Sequence, residues 1–145
     1  MVVIDHFEAV ENKDESLMDY LVVNGQGVND ASGIYQRTPL HLACEQSDAT
    51  MVRLLLKRGA DPTCRDVNDW TPLHFASLSG NEHALHLLLK HPDCPNVDAA
   101  TTSGKTALHL CAGEGHLRCM KVSHDTHLFD IDQSSNSGFE VIDRR

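Results

Sequence analysis

The feature that most constrains this chain is a repeat. Thr38-Pro39-Leu40-His41-Leu42-Ala43 returns as Thr71-Pro72-Leu73-His74-Phe75-Ala76, and again as Thr106-Ala107-Leu108-His109-Leu110-Cys111, at intervals of 33 and 35 residues. A leucine-rich block keeps its place behind the first two copies, as Met51–Leu56 and Ala84–Leu89. A period of this size is the mark of a stacked array, in which each unit is one supersecondary element. Within a unit the order reads helix, turn, helix, extended excursion. Thr supplies an N-cap oxygen, and Pro suits the first helical position, where a missing N–H costs nothing. Gly59 stands where the second helix would end. Neither short helix can bury its apolar face alone, so neighbouring units must stack into a solenoid.

The Thr-Pro-Leu-His signature and the period resemble those of ankyrin-repeat proteins. The resemblance implies an all-α solenoid of about three to four helix-turn-helix repeats with short β-hairpin-like loops and an irregular C-terminal tail. Residues 34–66 and 67–101 form two full repeats, and 102–122 form a partial one. Residues 1–33 carry no signature, yet Phe7-Glu8-Ala9-Val10 and Leu17–Val22 fall where the helices belong, as in a degenerate N-terminal capping repeat. Glu8, Glu11, Lys13, Asp14 and Glu15 give it a polar outer face. From Ser123 the leucine pattern fails, and 123–145 reads as a polar, partly disordered tail around Ser134-Ser135-Asn136-Ser137-Gly138.

Composition narrows the function. The formal charge of −9 argues against nucleic acid or an anionic membrane as partner, since both demand a basic footprint. No apolar run approaches a membrane span, and the first residues lack the basic and apolar regions of a signal peptide. Five cysteines without disulfide-like spacing fit a reducing cytoplasmic or nuclear setting.

Three patterns tempt toward chemistry. His41, His74 and His109 occupy equivalent places in successive repeats, which spreads them along the stack. Their expected role is to bond Thr and backbone groups. Cys111, His116 and Cys119, or His83 and His86, offer candidate zinc ligands, but no second close pair partners either group. Ala99-Ala100-Thr101-Thr102-Ser103-Gly104-Lys105-Thr106 matches a relaxed phosphate-loop pattern. Two prolines precede it where a central strand would be needed. No cofactor, metal or catalytic residue is therefore expected, and a nucleotide-binding enzyme is the remote alternative.

The ankyrin resemblance implies protein recognition through hairpin tips and the ends of the first helices, on a concave face. Carried over by position, the candidates are Ile34, Tyr35, Arg37, Glu45 and Gln46 in the first full repeat. The second gives Val67, Asn68, Trp70, Leu78 and Ser79, and the third Thr102, Ser103, Lys105, Gly113 and Glu114. Ile34, Tyr35, Val67, Trp70 and Leu78 are apolar where an idle solenoid would be polar, and Trp and Tyr suit binding hot spots. Trp70 and Tyr35 have an alternative role, packing across their own hairpins. The expected function is a monomeric, non-catalytic adaptor or inhibitor. The alternative is a fragment or variant of a longer array, with its fourth repeat replaced from Ser123.

Overall fold

In the computed structural model the described residues are 6–24, 27–94 and 96–126, with the backbone alone from 123 to 126. Eight helices lie among them in four antiparallel pairs: α1 (His6–Glu11) with α2 (Glu15–Val23), α3 (Pro39–Glu45) with α4 (Ala49–Lys57), α5 (Pro72–Ser79) with α6 (Glu82–Lys90), and α7 (Ala107–Glu114) with α8 (Leu117–Thr126). The first helices of the pairs pack in series, α1 on α3 on α5 on α7. The second helices form another layer, α4 on α6 on α8. No strand occurs among the described residues, and the one β-bridge joins Ser32 to Arg37 at the base of a hairpin.

The repeat signature explains α3, α5 and α7. Thr38, Thr71 and Thr106 are N-caps in extended conformation, and the histidine three residues on completes a capping box in place of the usual Glu or Gln. His41 Nδ1 accepts from Thr38 N at 3.0 Å, and His74 Nδ1 from Thr71 N at 2.9 Å. The far ring nitrogens reach into the next unit. His41 Nε2 donates to the Trp70 carbonyl and His74 Nε2 to that of Ala99, both at 2.9 Å. One side chain thus starts its own helix and ties down the hairpin of its neighbour. The outer helices open on a shorter device: the side chains of Asp14, Asp48 and Asn81 accept from Leu17 N, Met51 N and Ala84 N.

Between the two helices of every pair one residue adopts positive φ. Lys13, Ser47, Gly80 and Gly115 hold that place. Glycine takes this conformation freely, whereas a side chain pays in steric strain.

The core runs along the stack between the two helix layers. Met18, Leu40, Ala43, Met51, Val52, Leu55, Leu73, Ala76, Ala84, Leu85 and Leu88 are all buried, and Cys111 and Cys119 extend it into the last pair. The N-terminal unit is a helix pair as expected, with Ala9, Val10, Met18 and Leu21 in the core. The α8 backbone continues through Thr126, four residues past the end expected for the partial repeat at 122. The remainder of the expected polar tail, 127–145, lies outside the described residues.

Candidate functional site

The hairpins between helix pairs are built alike. Ser32 and Arg37 exchange both backbone hydrogen bonds, Asp66 N donates to Trp70 O, and Thr101 N donates to Lys105 O. Their tips are also joined to one another: Val67 N donates to Tyr35 O, and Thr102 N to Asn68 O, each at 3.0 Å. Those two bonds carry the tips from one repeat to the next as a continuous ledge.

That ledge carries exposed apolar side chains. Ile34 is 83% exposed, Tyr35 46% and Val67 52%. They sit on two adjoining tips that the Val67–Tyr35 bond holds in contact. Asn68 and Thr102, both exposed, continue the ledge with polar groups, and Lys105 stays exposed at its far end.

Several of the other candidates also make contacts within the fold. Arg37 is half-buried; its guanidinium bonds Glu45 at 3.2 Å and Asp66 at 3.4 Å, and lies over the rings of Tyr35 and Phe75 at 4.8 and 4.6 Å. Its charge, and that of Glu45, are largely spent inside the molecule. Trp70 is half-buried, with its ring 4.9 Å from that of Phe75 and 5.9 Å from His74. Leu78 and Ser79 are half-buried at the end of α5, where Ser79 Oγ donates to the Cys44 carbonyl of the preceding unit. Gln46 is half-buried after α3, while Ser103, Gly113 and Glu114 are exposed.

Asp66 was missed in the sequence, although it organises the central hairpin. Its buried carboxylate accepts from Asn68 N and Trp70 N, both at 2.9 Å, and holds Arg37 from the other side. The signal was present: Thr101 stands five residues before Thr106, as Asp66 does before Thr71, and its hydroxyl likewise accepts from Lys105 N.

The phosphate-loop resemblance does not survive the geometry. A phosphate cradle needs free backbone N–H groups. Here the N–H groups of Thr101, Thr102, Gly104, Lys105 and Thr106 all donate within the protein, to Lys105 O, Asn68 O, Thr101 O, Thr101 Oγ1 and His109 Nδ1. The segment is a repeat hairpin followed by a helix cap.

Nor do the candidate zinc ligands converge. Cys111 and Cys119 lie side by side in the core, and the contact with Cys119, with burial, pushes the Cys111 thiol up from its ordinary value. His116 turns away from them and donates through Nε2 to the Leu78 carbonyl at 2.9 Å. Among the described residues no group of three or more His, Cys, Asp or Glu side chains is placed to hold a metal ion. Burial alone raises the Cys44 thiol in the same sense.

The family model for ankyrin repeats, three copies long, matches residues 7–98 and 58–122, well over half of the sequence. The chain belongs to the ankyrin-repeat family. The chicken nuclear factor NF-kappa-B p105 subunit is 35% identical over 118 residues, which cover 81% of this chain but 12% of that protein. The human transient receptor potential cation channel subfamily A member 1 is 36% identical over 144 residues, 92% of this chain and 13% of the channel. Dog inversin is 34% identical over 113 residues, 76% of this chain and 10% of inversin. The ankyrin chain thus spans about a tenth of the length of these relatives. Ankyrin repeats are interaction folds without catalytic machinery of their own, and their partners are proteins. Among the described residues no helix is long and apolar enough to cross a membrane.

Proposed function

We propose that this ankyrin array is a non-catalytic recognition module, an adaptor or inhibitor, that grips a partner protein on the face made by its hairpin tips and inner-helix ends. The observation that carries the reading is the trio Ile34, Tyr35 and Val67. Three large apolar side chains stand exposed on adjoining tips that backbone bonds hold rigid. Large apolar groups on a pre-ordered ledge gain burial on binding with little ordering cost. With Arg37 and Glu45 occupied by each other and by Asp66, apolar contact rather than charge supplies the main attraction, and Asn68, Thr102 and Lys105 form the polar rim. The five scattered cysteines, without disulfide-like spacing, support action in a reducing setting such as the cytoplasm or nucleus.

The relatives are, by name, a nuclear-factor subunit, a cation channel and inversin. Such variety supports a binding role and leaves the pathway to experiment. The small share of each relative that the chain matches favours a second reading, in which the same module works as one segment of a longer scaffold. Affinity capture from cell lysate with wild type and with Ile34→Ala/Tyr35→Ala/Val67→Ala tests the face. Removing these exposed side chains should leave the circular dichroism spectrum unchanged, and the captured partner should disappear. Unchanged capture would place recognition elsewhere.

A further inference from the structure

A second surface lies on the opposite layer. The outer helices α4 and α6 run side by side, and between them is an open groove of about 440 Å³. Leu56, Leu87 and Pro92 line it with apolar surface, and Arg53, Lys57 and Lys90 border it. The repeat places these cations deliberately: Arg53 and Lys57 are four apart on one helix face, and His86 and Lys90 hold the equivalent positions 33 residues on.

Three observations make this more than a solvated helix face. The chain carries a net −9, yet no carboxylate lines the groove. Arg37, Arg58, Arg65 and Arg118 all have carboxylate partners, whereas Arg53, Lys57 and Lys90 make no ion pair among the described residues. The leucines of the floor are only half-buried, so the groove leaves apolar surface wet beneath unpaired charge.

We propose that this groove is a second recognition site, which takes a short acidic and apolar peptide segment of a partner protein. Two apolar side chains cover Leu56 and Leu87, and carboxylates of the same segment meet Arg53, Lys57 and Lys90. Each helix is nine residues long, so the groove runs about 13 Å, the length of roughly four extended residues. The apolar floor decides against a bare polyphosphate, which would leave the leucines wet. Three cations on a chain of −9 are too few for an anionic bilayer, where each contributes only about 1 kcal/mol. The site is independent of the hairpin face, since it uses the other helix layer.

The test is to pan a displayed library of random octapeptides on the full chain. Three proteins are compared: wild type, Arg53→Glu/Lys57→Glu/Lys90→Glu, and the hairpin variant Ile34→Ala/Tyr35→Ala/Val67→Ala. Wild type and the hairpin variant should both enrich peptides that interleave Asp or Glu with Leu, Ile or Phe. The best of these should bind the charge-reversed variant at least tenfold more weakly, and wild type more weakly as salt rises. Lys57→Gln/Lys90→Gln keeps the test available should the triple reversal fail to fold. Equal enrichment on the charge-reversed variant overturns the proposal. So does hexaglutamate binding as tightly as the selected peptides, or phosphatidylserine vesicles binding where no peptide is enriched. Stronger enrichment after Asp130→Asn/Asp132→Asn would make this chain's own C-terminal segment the occupant and overturn a partner in trans.

Discussion

Mild acid should destabilise this array through two of its histidines. His41 and His74 are buried, and desolvation holds both imidazoles below the ordinary value of 6.5, against the pull of the carbonyls they bond. The geometry says why a proton is unwelcome. Nδ1 of each ring accepts the N-cap N–H of its own helix while Nε2 already donates to the next repeat. A second ring proton would face that N–H and break the cap. The unfolded chain takes up the protons that the folded chain refuses, so stability is complete above about pH 6.5 and falls as the pH drops through it. Because the fold disfavours the charged ring, going from pH 6.5 to 5.5 costs at most about 1 kcal/mol per histidine, about 2 kcal/mol together.

That loss is a large fraction of the stability of a small domain. Asp19 and Asp61, held low by Arg58 and by Thr63 respectively, add their own losses only nearer pH 4, below this window. Urea unfolding followed by circular dichroism at pH 7.5, 6.5 and 5.5 gives the slope directly. His74→Gln lowers stability at every pH but should halve the change between 6.5 and 5.5 to about 1 kcal/mol, because one proton acceptor is gone. A wild-type change below about 0.5 kcal/mol, or an unchanged slope in His74→Gln, would refute the locked-tautomer argument.

Four further outcomes follow from the packing. Ser47→Gly should raise stability by roughly 0.5–1 kcal/mol, since Ser47 holds φ 59° in the interhelical turn where two other repeats use glycine; thermal unfolding reads it. Gly80→Ala should cost more than Gly115→Ala, because a Cβ at Gly80 would stand 2.7 Å from the His116 ring whereas none crowds Gly115; equal losses would remove the His116 argument. Arg37→Ala should destabilise by about 1–3 kcal/mol, as it strips the buried Asp66 carboxylate of its cation, while Val67→Ala stays within about 0.5 kcal/mol in the same urea titration. Leu85→Ala, fully buried in α6, should cost about 2–5 kcal/mol by the same measure, and a smaller value would mean that the stack collapses around the gap.

The parts of this fold legible in sequence are those with a local cause that recurs. Thr and His at fixed offsets begin a helix whatever surrounds them, so α3, α5 and α7 were placed by the signature alone. The contact between His74 and Ala99 was implied in the same way, because a buried imidazole with one nitrogen spent on its own cap must find a partner for the other. Where the cue is not local, the sequence left alternatives open. Trp70 read either as a contact residue or as packing across its own hairpin; it lies against Phe75, while Val67 stands in solvent. The difference depends on Phe75 occupying a position where the other repeats carry leucine, Leu42 and Leu110, and thereby offering a ring to stack on.

Charge shows the same limit from the other side. Arg37 and Lys105 occupy one register position and were equivalent in sequence, but Arg37 has Asp66 within reach and Lys105 does not. Asp66 in turn is buried only because its carboxylate closes a turn on the N–H groups of Asn68 and Trp70. The repeat therefore fixes where each backbone segment lies, while the residue that departs from the repeat decides what the surface offers. On that logic the apolar tips and the unpaired basic groove are the informative places on this chain. The tips depart from the repeat and the basic positions of the groove recur with it, but the stacking of helices requires neither, and each leaves surface in water that a bound protein would cover.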